Sequence, residues 1–127
     1  MNELENGYPV RKYKMPIKRY CQTLTLNCDN EKLEKYISAH SPQNIWKEIP
    51  QGIKQVGILN MEIFIDGHLL FMIVETPIDF DWNVAMKKLA QLPRQAEWEA
   101  YVALLQGVDP SATSDEKWKL MKQIFSL

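Results

Sequence analysis

Two strand-like runs flank the dipeptide Asp66-Gly67, and this hairpin signal limits the possible folds more than any other feature of the sequence. Residues 57–65 and 68–75 are rich in strand-forming side chains, and Asp-Gly between two such runs is typical of a two-residue turn. We predict that the last residue of the first run lies opposite the first residue of the second. Because side chains alternate along a strand, this register divides the hairpin between two faces of a sheet.

The two faces of the predicted hairpin differ in polarity. One is almost entirely apolar and is expected to be covered by helices: Leu59, Met61, Ile63, Ile65, His68, Leu70, Met72 and Val74. The other mixes apolar side chains with an amide and two carboxylates: Ile58, Asn60, Glu62, Phe64, Leu69, Phe71, Ile73 and Glu75. A mixed face of this kind suggests a half-wet cavity rather than open solvent.

A helix is predicted to begin within residues 27–30, which offer several N-capping side chains. Its buried stripe recurs at helical spacing through Leu33, Tyr36, Ile37 and His40. The Ser-Pro pair that follows ends the helix, because the residue before a proline avoids the helical region. His40 is therefore expected at the C-terminal end of the buried stripe.

The remaining segments complete the order β-α-β-β-α-β. Residues 19–27 alternate like a first strand, and residues 82–92 and 93–106 have helical spacing, with Gly107 as a stop signal. The C-terminal tail is ambiguous between helix and strand, and the order of the other elements favours a strand over residues 122–127. This order is that of an α+β, ferredoxin-like split βαβ fold.

Two stretches are expected to lack regular structure. The segment between the first helix and the hairpin contains Pro50 and Gly52 and is interpreted as a loop. Residues 1–17 show no periodicity and are expected to be a flexible leader, so the folded domain is predicted to span residues 18–127.

A ferredoxin-like sheet carries helices on one face only, so its other face needs a cover. In a chain of 127 residues, a second copy is the simplest cover. We therefore predict a homodimer in which two protomers form a dimeric α/β barrel.

Composition and charge argue against several classes of partner. Hydrophobic residues make up 46% of the chain, enough for one core. The formal net charge of −1 argues against nucleic acid or an anionic membrane as a partner. There is no run of about 18 apolar residues and no secretory signal. We expect a soluble, cytoplasmic protein in which Cys21 and Cys28 are reduced.

His40 is the best candidate for proton transfer. A helix C-terminus favours the imidazolium form, which suits a general acid near neutral pH. Tyr36 lies one turn earlier on the same stripe and is placed to hydrogen-bond a ligand hydroxyl. A purely structural role for the histidine is the alternative. Two histidines and two cysteines at unrelated spacings predict no metal site, and the common nucleotide and hydrolase motifs are absent.

Aromatic and polar side chains supply the candidates for ligand binding. Trp98 has polar neighbours on both sides, unlike a core run, and an indole face suits the C–H surface of a sugar ring. Glu62 is a candidate general base, with a bound water as the alternative. Asn60 and Trp46 are further candidates for contact with a ligand. Core packing is the alternative for each tryptophan taken singly.

Several separated blocks of the sequence resemble one known family. They are RYCQTLTL at 19–26, IWKEI at 45–49 after the histidine, LFMIVE at 70–75, DWN at 81–83 and RQAEW at 94–98. In this order they are similar to the L-rhamnose mutarotase family, particularly its L-fucose-mutarotase-like branch. The resemblance implies a dimeric α/β-barrel enzyme without a cofactor. Its reaction would interconvert the anomers of a 6-deoxyhexose such as L-rhamnose or L-fucose.

Carried over by position, the family's proton-donating histidine falls on His40, its helix tyrosine on Tyr36 and its sugar-binding tryptophan on Trp98. The sequence departs from the rhamnose-type pattern at two sugar-reading positions. It has Met61 where those members have a tyrosine, and Glu99 where they have a second tryptophan. It also has two more residues between the histidine and the following Ile-Trp pair. The resemblance therefore implies the reaction type more firmly than the substrate.

Two other functions fit the same topology. One is a dimeric α/β-barrel monooxygenase or haem-dependent enzyme, which visible absorbance of the purified protein would reveal. The other is a non-enzymatic dimeric binder of a small ligand such as a sugar. Such a binder would hold the sugar without accelerating the exchange of its anomers.

Overall fold

The computed structural model of the protein describes residues 7–127. Nine elements follow one another along this part of the chain. They are β1 (Ile17–Thr25), α1 (Asn30–Ala39), α2 (Glu48–Gln55), β2 (Asn60–Asp66), β3 (Leu69–Pro77), α3 (Trp82–Ala90), α4 (Gln95–Gln106), α5 (Ser114–Lys117) and β4 (Lys119–Leu120).

The four strands form one antiparallel sheet in the order β2-β3-β1-β4. The long strands β1 and β3 lie at its centre and pair along their whole lengths. The predicted α+β, ferredoxin-like arrangement is confirmed, because the hairpin β2-β3 places β3 between β1 and β2.

The helices cover the predicted apolar face of the sheet. Leu70, Met72 and Val74 alternate along β3 on this face and are at most 5% exposed. Helix α1 packs against α4 in the layer above them. None of the helices within residues 7–127 is long and apolar enough to cross a membrane.

The register of the hairpin is shifted by two residues from the prediction. Asp66 lies opposite Leu69, so the turn consists of Gly67 and His68 and the expected pairing of Ile65 with His68 is wrong. Gly67 has a φ of 59°, which a glycine at the first turn position adopts without strain. Because the shift is by an even number, the side chains of β2 and β3 keep their predicted faces, whereas His68 moves into the turn.

Helix α2 lies where a loop was expected. Pro50 is in its first turn, where the missing N–H costs no helical hydrogen bond. Gly52 is buried, and a Cβ at this position would lie 3.3 Å from Cδ1 of Leu92. The proline therefore fits the first turn of a helix, and the glycine allows the helix to pack closely against Leu92. The prediction of a loop was wrong because both residues also suit a helix in these positions.

The C-terminal tail does not form the strand expected over residues 122–127. β4 is only two residues long, and the amide of Met121 makes the last bond to the sheet by donating to the carbonyl of Cys21 (2.8 Å). Ile124 and Phe125 are 93% and 76% exposed. A strand must pair with a neighbouring strand, and within residues 7–127 no strand pairs with the tail beyond β4.

Residues 7–16 cross the second, helix-free face of the sheet. The hydroxyl of Tyr8 donates to Oε1 of Glu62 (3.2 Å), and that of Tyr13 donates to Oε1 of Glu75 (3.3 Å). β1 begins at residue 17, one residue before the predicted start of the domain. The first six residues lie outside the described part of the chain, so the flexibility of the whole leader stays a prediction.

Gly107 brings the end of α4 into direct contact with the loop after β1. The amide of Asn27 donates to the carbonyl of Gln106 (2.9 Å). Gly107 has a φ of 72°, and a Cβ there would lie 1.8 Å from the carbonyl oxygen of Asn27. Only a glycine permits this approach of the two backbones.

We predict that Gly107→Ala lowers the free energy of unfolding by about 3 kcal/mol or more, because a left-handed conformation costs about 1–2 kcal/mol and the backbone clash adds to it. The matched control is Gly67→Ala. Gly67 also has a positive φ but has open space around it, so only the cost of about 1–2 kcal/mol applies. Urea denaturation measures both values, and equal losses would contradict the role of the close contact.

Candidate active site

A cavity of about 430 Å³ lies between the apolar face of the sheet and the helices. Most of its wall is apolar, with Met61, Ile63 and Met72 from the sheet. Its polar lining comes from Tyr36, His40, Asn60, Gln95, Glu99, Gln106, Ser114 and Lys117. The exposed lining residues Arg11 and Lys54 mark its opening to solvent. Within residues 7–127, no three His, Cys, Asp or Glu side chains come together as metal ligands would.

His40 reaches the cavity from the end of α1, as predicted. Asp29 is the N-cap residue of the helix, where its carboxylate accepts from the amide of Lys32 (2.9 Å), and His40 is the C-cap residue. Nδ1 of His40 lies 2.7 Å from the carbonyl oxygen of Tyr36. A carbonyl oxygen only accepts, so Nδ1 carries a hydrogen and the lone pair of the neutral ring is on Nε2. His40 lines the cavity, and no hydrogen bond within residues 7–127 occupies Nε2.

Burial lowers the pKa of His40 below its usual 6.5, and the hydrogen bond to the carbonyl of Tyr36 offsets only part of this effect. The sequence predicted the opposite direction, on the ground that a helix C-terminus favours the imidazolium form. That expectation was wrong because burial of the ring disfavours its charged form. The imidazole is therefore predominantly uncharged at neutral pH.

The structure brings together three of the residues predicted from the sequence. The ring centroid of His40 lies 4.4 Å from that of Tyr36 and 5.3 Å from that of Trp98. Trp98 is buried and also lines the cavity, so packing in the core does not exclude contact with a ligand there. Trp46 contacts the ring of Trp98 edge-on at 5.2 Å, and the guanidinium of Arg94 lies over Trp46 at 4.1 Å. Trp46 therefore supports Trp98 from outside the cavity wall.

The structure does not bring Glu62 to His40. Glu62 points to the helix-free face of the sheet, where it accepts a hydrogen bond from Tyr8. Asn60 borders the cavity, but its side-chain amide lies on the helix-free face and donates to Oε1 of Glu75 (3.1 Å). The half-wet cavity predicted for the mixed face of the hairpin instead lies over the apolar face. Most polar groups of that cavity come from helices, which the reasoning about strands did not consider.

Sequence reasoning missed a buried charged cluster in the cavity wall. Nζ of Lys117 lies 2.7 Å from Oε2 of Glu99, and the two side chains are 1% and 9% exposed. The other carboxylate oxygen of Glu99 accepts from Gln95 (2.7 Å) and from the hydroxyl of Ser114 (2.9 Å). The charged pair is thus enclosed and hydrogen-bonded, as a buried pair must be.

Gln106 connects this cluster to Tyr36. Nζ of Lys117 donates to Oε1 of Gln106 (3.1 Å), and Nε2 of Gln106 donates to the hydroxyl oxygen of Tyr36 at 3.5 Å. A signal for these residues is present in the sequence. Gln95, Glu99 and Gln106 stand at i, i+4 and i+11 of α4, a polar row on the buried face of the helix.

Comparison with known proteins relates most of the chain to one family. Residues 19–127 match the family model described as L-rhamnose mutarotase. An L-fucose mutarotase from Xanthomonas campestris pv. campestris is 32% identical over 113 residues, which cover 89% of this chain and 90% of the relative. A UPF0734 protein from Dictyostelium discoideum is 33% identical over 114 residues, which cover 87% and 90%.

Among solved structures, the crystal structure of an L-rhamnose mutarotase from Formosa agariphila is similar, with a TM-score of 0.63. The match covers 87% of this chain and 98% of that one at 20% sequence identity. At this level of identity the similarity supports the fold of the chain.

We predict that Lys117→Met lowers the free energy of unfolding by about 3–5 kcal/mol, because it leaves the carboxylate of Glu99 buried without its partner. The double variant Lys117→Met/Glu99→Gln should recover much of this loss. The control is Lys35→Met, which removes an exposed i,i+4 pair with Glu31 and should cost about 0.5 kcal/mol or less. Urea denaturation measures all three, and a loss at Lys117 no larger than that of the control would contradict a buried pair.

Proposed function

This chain belongs to the L-rhamnose mutarotase family, and we propose that it interconverts the α and β anomers of a 6-deoxyhexose of the L-rhamnose or L-fucose class, with His40 moving the protons. The observation that carries the assignment of His40 is its imidazole in the cavity lining, which has Nδ1 bound to the helix and Nε2 without a hydrogen-bond partner within residues 7–127. A cavity of about 430 Å³ also has the size of a small-molecule site.

Mutarotation opens the pyranose ring and closes it again on the other face of C1. On opening, the anomeric hydroxyl loses its proton as the C1 carbonyl forms. The bond from C1 to the ring oxygen breaks, and its electron pair stays on the ring oxygen, which gains a proton. Both oxygens are attached to C1, so a single nitrogen can serve both. Nε2 of His40 takes the hydroxyl proton as a base and returns it to the ring oxygen as an acid.

Some of the other predicted site residues would contact the sugar, and others would hold those contact residues in place. Trp98 offers its indole to the C–H surface of the ring, and Tyr36 hydrogen-bonds an oxygen near C1. Trp46 acts by holding Trp98 in place, and Asn60 borders the sugar at the edge of the cavity. Glu62 has no part in this scheme, since one nitrogen is both acid and base.

We also propose that two copies associate through the helix-free face and the tail. Phe64 and Phe71 lie on that face with their rings 6.2 Å apart. Beyond it, Ile124 and Phe125 are more exposed than apolar side chains of a stable monomer need to be. A second copy would cover these groups and supply a neighbour for the tail. The cytoplasmic location stays a prediction.

We predict that His40→Ala lowers the rate of anomer exchange by about a hundredfold or more, the usual contribution of general acid–base catalysis. Saturation-transfer NMR of the anomeric protons, with L-rhamnose, L-fucose and D-hexoses, measures the rate and identifies the preferred sugar. The control is His68→Ala, which changes the exposed turn of the hairpin. A folded His40→Ala variant with the normal rate would make His40 a structural residue. Sugar binding without acceleration by the intact protein would favour the non-enzymatic alternative.

The pH dependence of the exchange rate has a defined sign in this scheme. Nε2 must start without a proton, and burial lowers the pKa of His40. The rate should therefore hold at neutral pH and fall as the pH drops through this lowered pKa, below 6.5. A rate that rises on acidification would instead show that the imidazolium is the resting catalyst.

We predict a homodimer in solution. Light scattering at micromolar concentration should give twice the mass of the 14.9 kDa chain. Replacing Ile124 and Phe125 with serine should weaken the dimer while leaving the cavity intact, because neither side chain lines it. A monomeric mass for the unaltered protein would contradict the proposal.

A further inference from the structure

Hydrogen bonds link Lys117 to Gln106 and Gln106 to Tyr36, and the chemistry of these groups fixes which partner donates in each bond. An ammonium group only donates, so Gln106 must turn its carbonyl oxygen toward Lys117. The amide nitrogen of Gln106 then faces the hydroxyl of Tyr36. A nitrogen of this kind only donates, so the oxygen of Tyr36 accepts.

Lys117 is held firmly enough to impose this direction. Its ammonium donates to Oε2 of Glu99 (2.7 Å), to the backbone carbonyl of Glu99 (3.2 Å) and to Gln106 (3.1 Å). These three bonds use all three of its hydrogens. The carboxylate of Glu99 is fixed in turn from its other side by Gln95 and Ser114.

The proton of Tyr36 is left to point into the cavity. Among the hydrogen bonds within residues 7–127, the hydroxyl of Tyr36 donates none, and its side chain lines the cavity. Burial raises the pKa of Tyr36 to about 12, so the hydroxyl keeps its proton at any working pH. Tyr36 therefore presents a hydrogen-bond donor in the cavity that His40 also lines, and the centroids of the two rings are 4.4 Å apart.

We propose that Lys117 and Gln106 are positioning residues, which direct the hydroxyl of Tyr36 so that Tyr36 and His40 together recognise the hemiacetal carbon of the sugar. The proposal rests on the proposed function, which it deepens. A hemiacetal has a ring oxygen that only accepts and an anomeric hydroxyl that donates, both on one carbon. A fixed donor and a fixed acceptor on residues that line the same cavity match this pair of oxygens.

The hydrogen bond from Tyr36 gains strength during ring opening. The breaking bond leaves its electron pair on the ring oxygen, and a donor aimed at that atom stabilises the growing negative charge. Tyr36 keeps its own proton throughout. The proton that the ring oxygen receives is the one that His40 took from the anomeric hydroxyl, so the enzyme ends the step unchanged.

The test exchanges Gln106 for a residue of the same shape that cannot donate. In Gln106→Glu, one carboxylate oxygen still accepts from Lys117, and the other faces Tyr36 as an acceptor. Tyr36 would then donate to this carboxylate instead of to the sugar. We expect kcat to fall about tenfold, as for Tyr36→Phe, with a smaller change in KM. The control Gln51→Glu makes the same change on an exposed side chain of α2 and should have no effect.

The double variant Tyr36→Phe/Gln106→Glu separates positioning from a structural role. If Gln106 acts through Tyr36, adding Gln106→Glu to Tyr36→Phe should change the rate by no more than about twofold. A further full loss in the double variant, or a normal rate for Gln106→Glu alone, would overturn the proposal.

Neutron diffraction from crystals of the unaltered protein in D2O gives a readout that needs neither activity nor a folded variant. We expect the deuteron of Tyr36 on the cavity side. A deuteron pointing toward Gln106 would overturn the proposal. A protein that accelerates exchange of no sugar, with the deuteron on the cavity side, would refute the proposed function while leaving the directed hydroxyl in place.

Discussion

Glu99 and Lys117 place opposite charges in the interior at the junction of α4 and α5. Removing two charges from water costs several kcal/mol per ion, so the pair requires hydrogen-bonding neighbours that restrain it. Gln95, Ser114 and Gln106 provide these bonds, and the same side chains form one wall of the cavity. The cavity depends on this arrangement, because polar side chains that are held by several hydrogen bonds do not rotate into the empty space beside them.

Much of the fold was predictable because it depends on local patterns. Side-chain alternation assigned the faces of the hairpin correctly even though the register was displaced by two residues, since an even shift preserves the faces. Helix α2 was missed because Pro50 and Gly52 are ambiguous in sequence: each suits either a loop or a helix that begins and packs in a particular way. The tail was misjudged because pairing of residues 122–127 requires a neighbour that the sequence of one chain does not reveal.

The site was predictable where one helix supplied the whole signal. The apolar stripe of α1 identified Tyr36 and His40, and the Ser-Pro pair after His40 identified the end of the helix. The protonation of His40 was not predictable, because desolvation depends on what packs over the ring. Glu62 was selected for its chemistry, but the opposite face of the sheet holds it. Lys117 comes from a short helix late in the chain, and only the tertiary structure brings it to Glu99.

Tyr36 and His40 occupy successive turns of one helix, and the ring of His40 is bound to the backbone of Tyr36. The two groups proposed for the chemistry therefore move as one rigid unit. The apolar part of the cavity wall comes from other elements, with Met61 and Ile63 from β2 and Met72 from β3. Natural variation can thus alter these elements to admit a new sugar without disturbing the reaction, a separation that makes such a scaffold evolvable. Engineers seeking altered specificity should diversify this wall and leave α1 untouched.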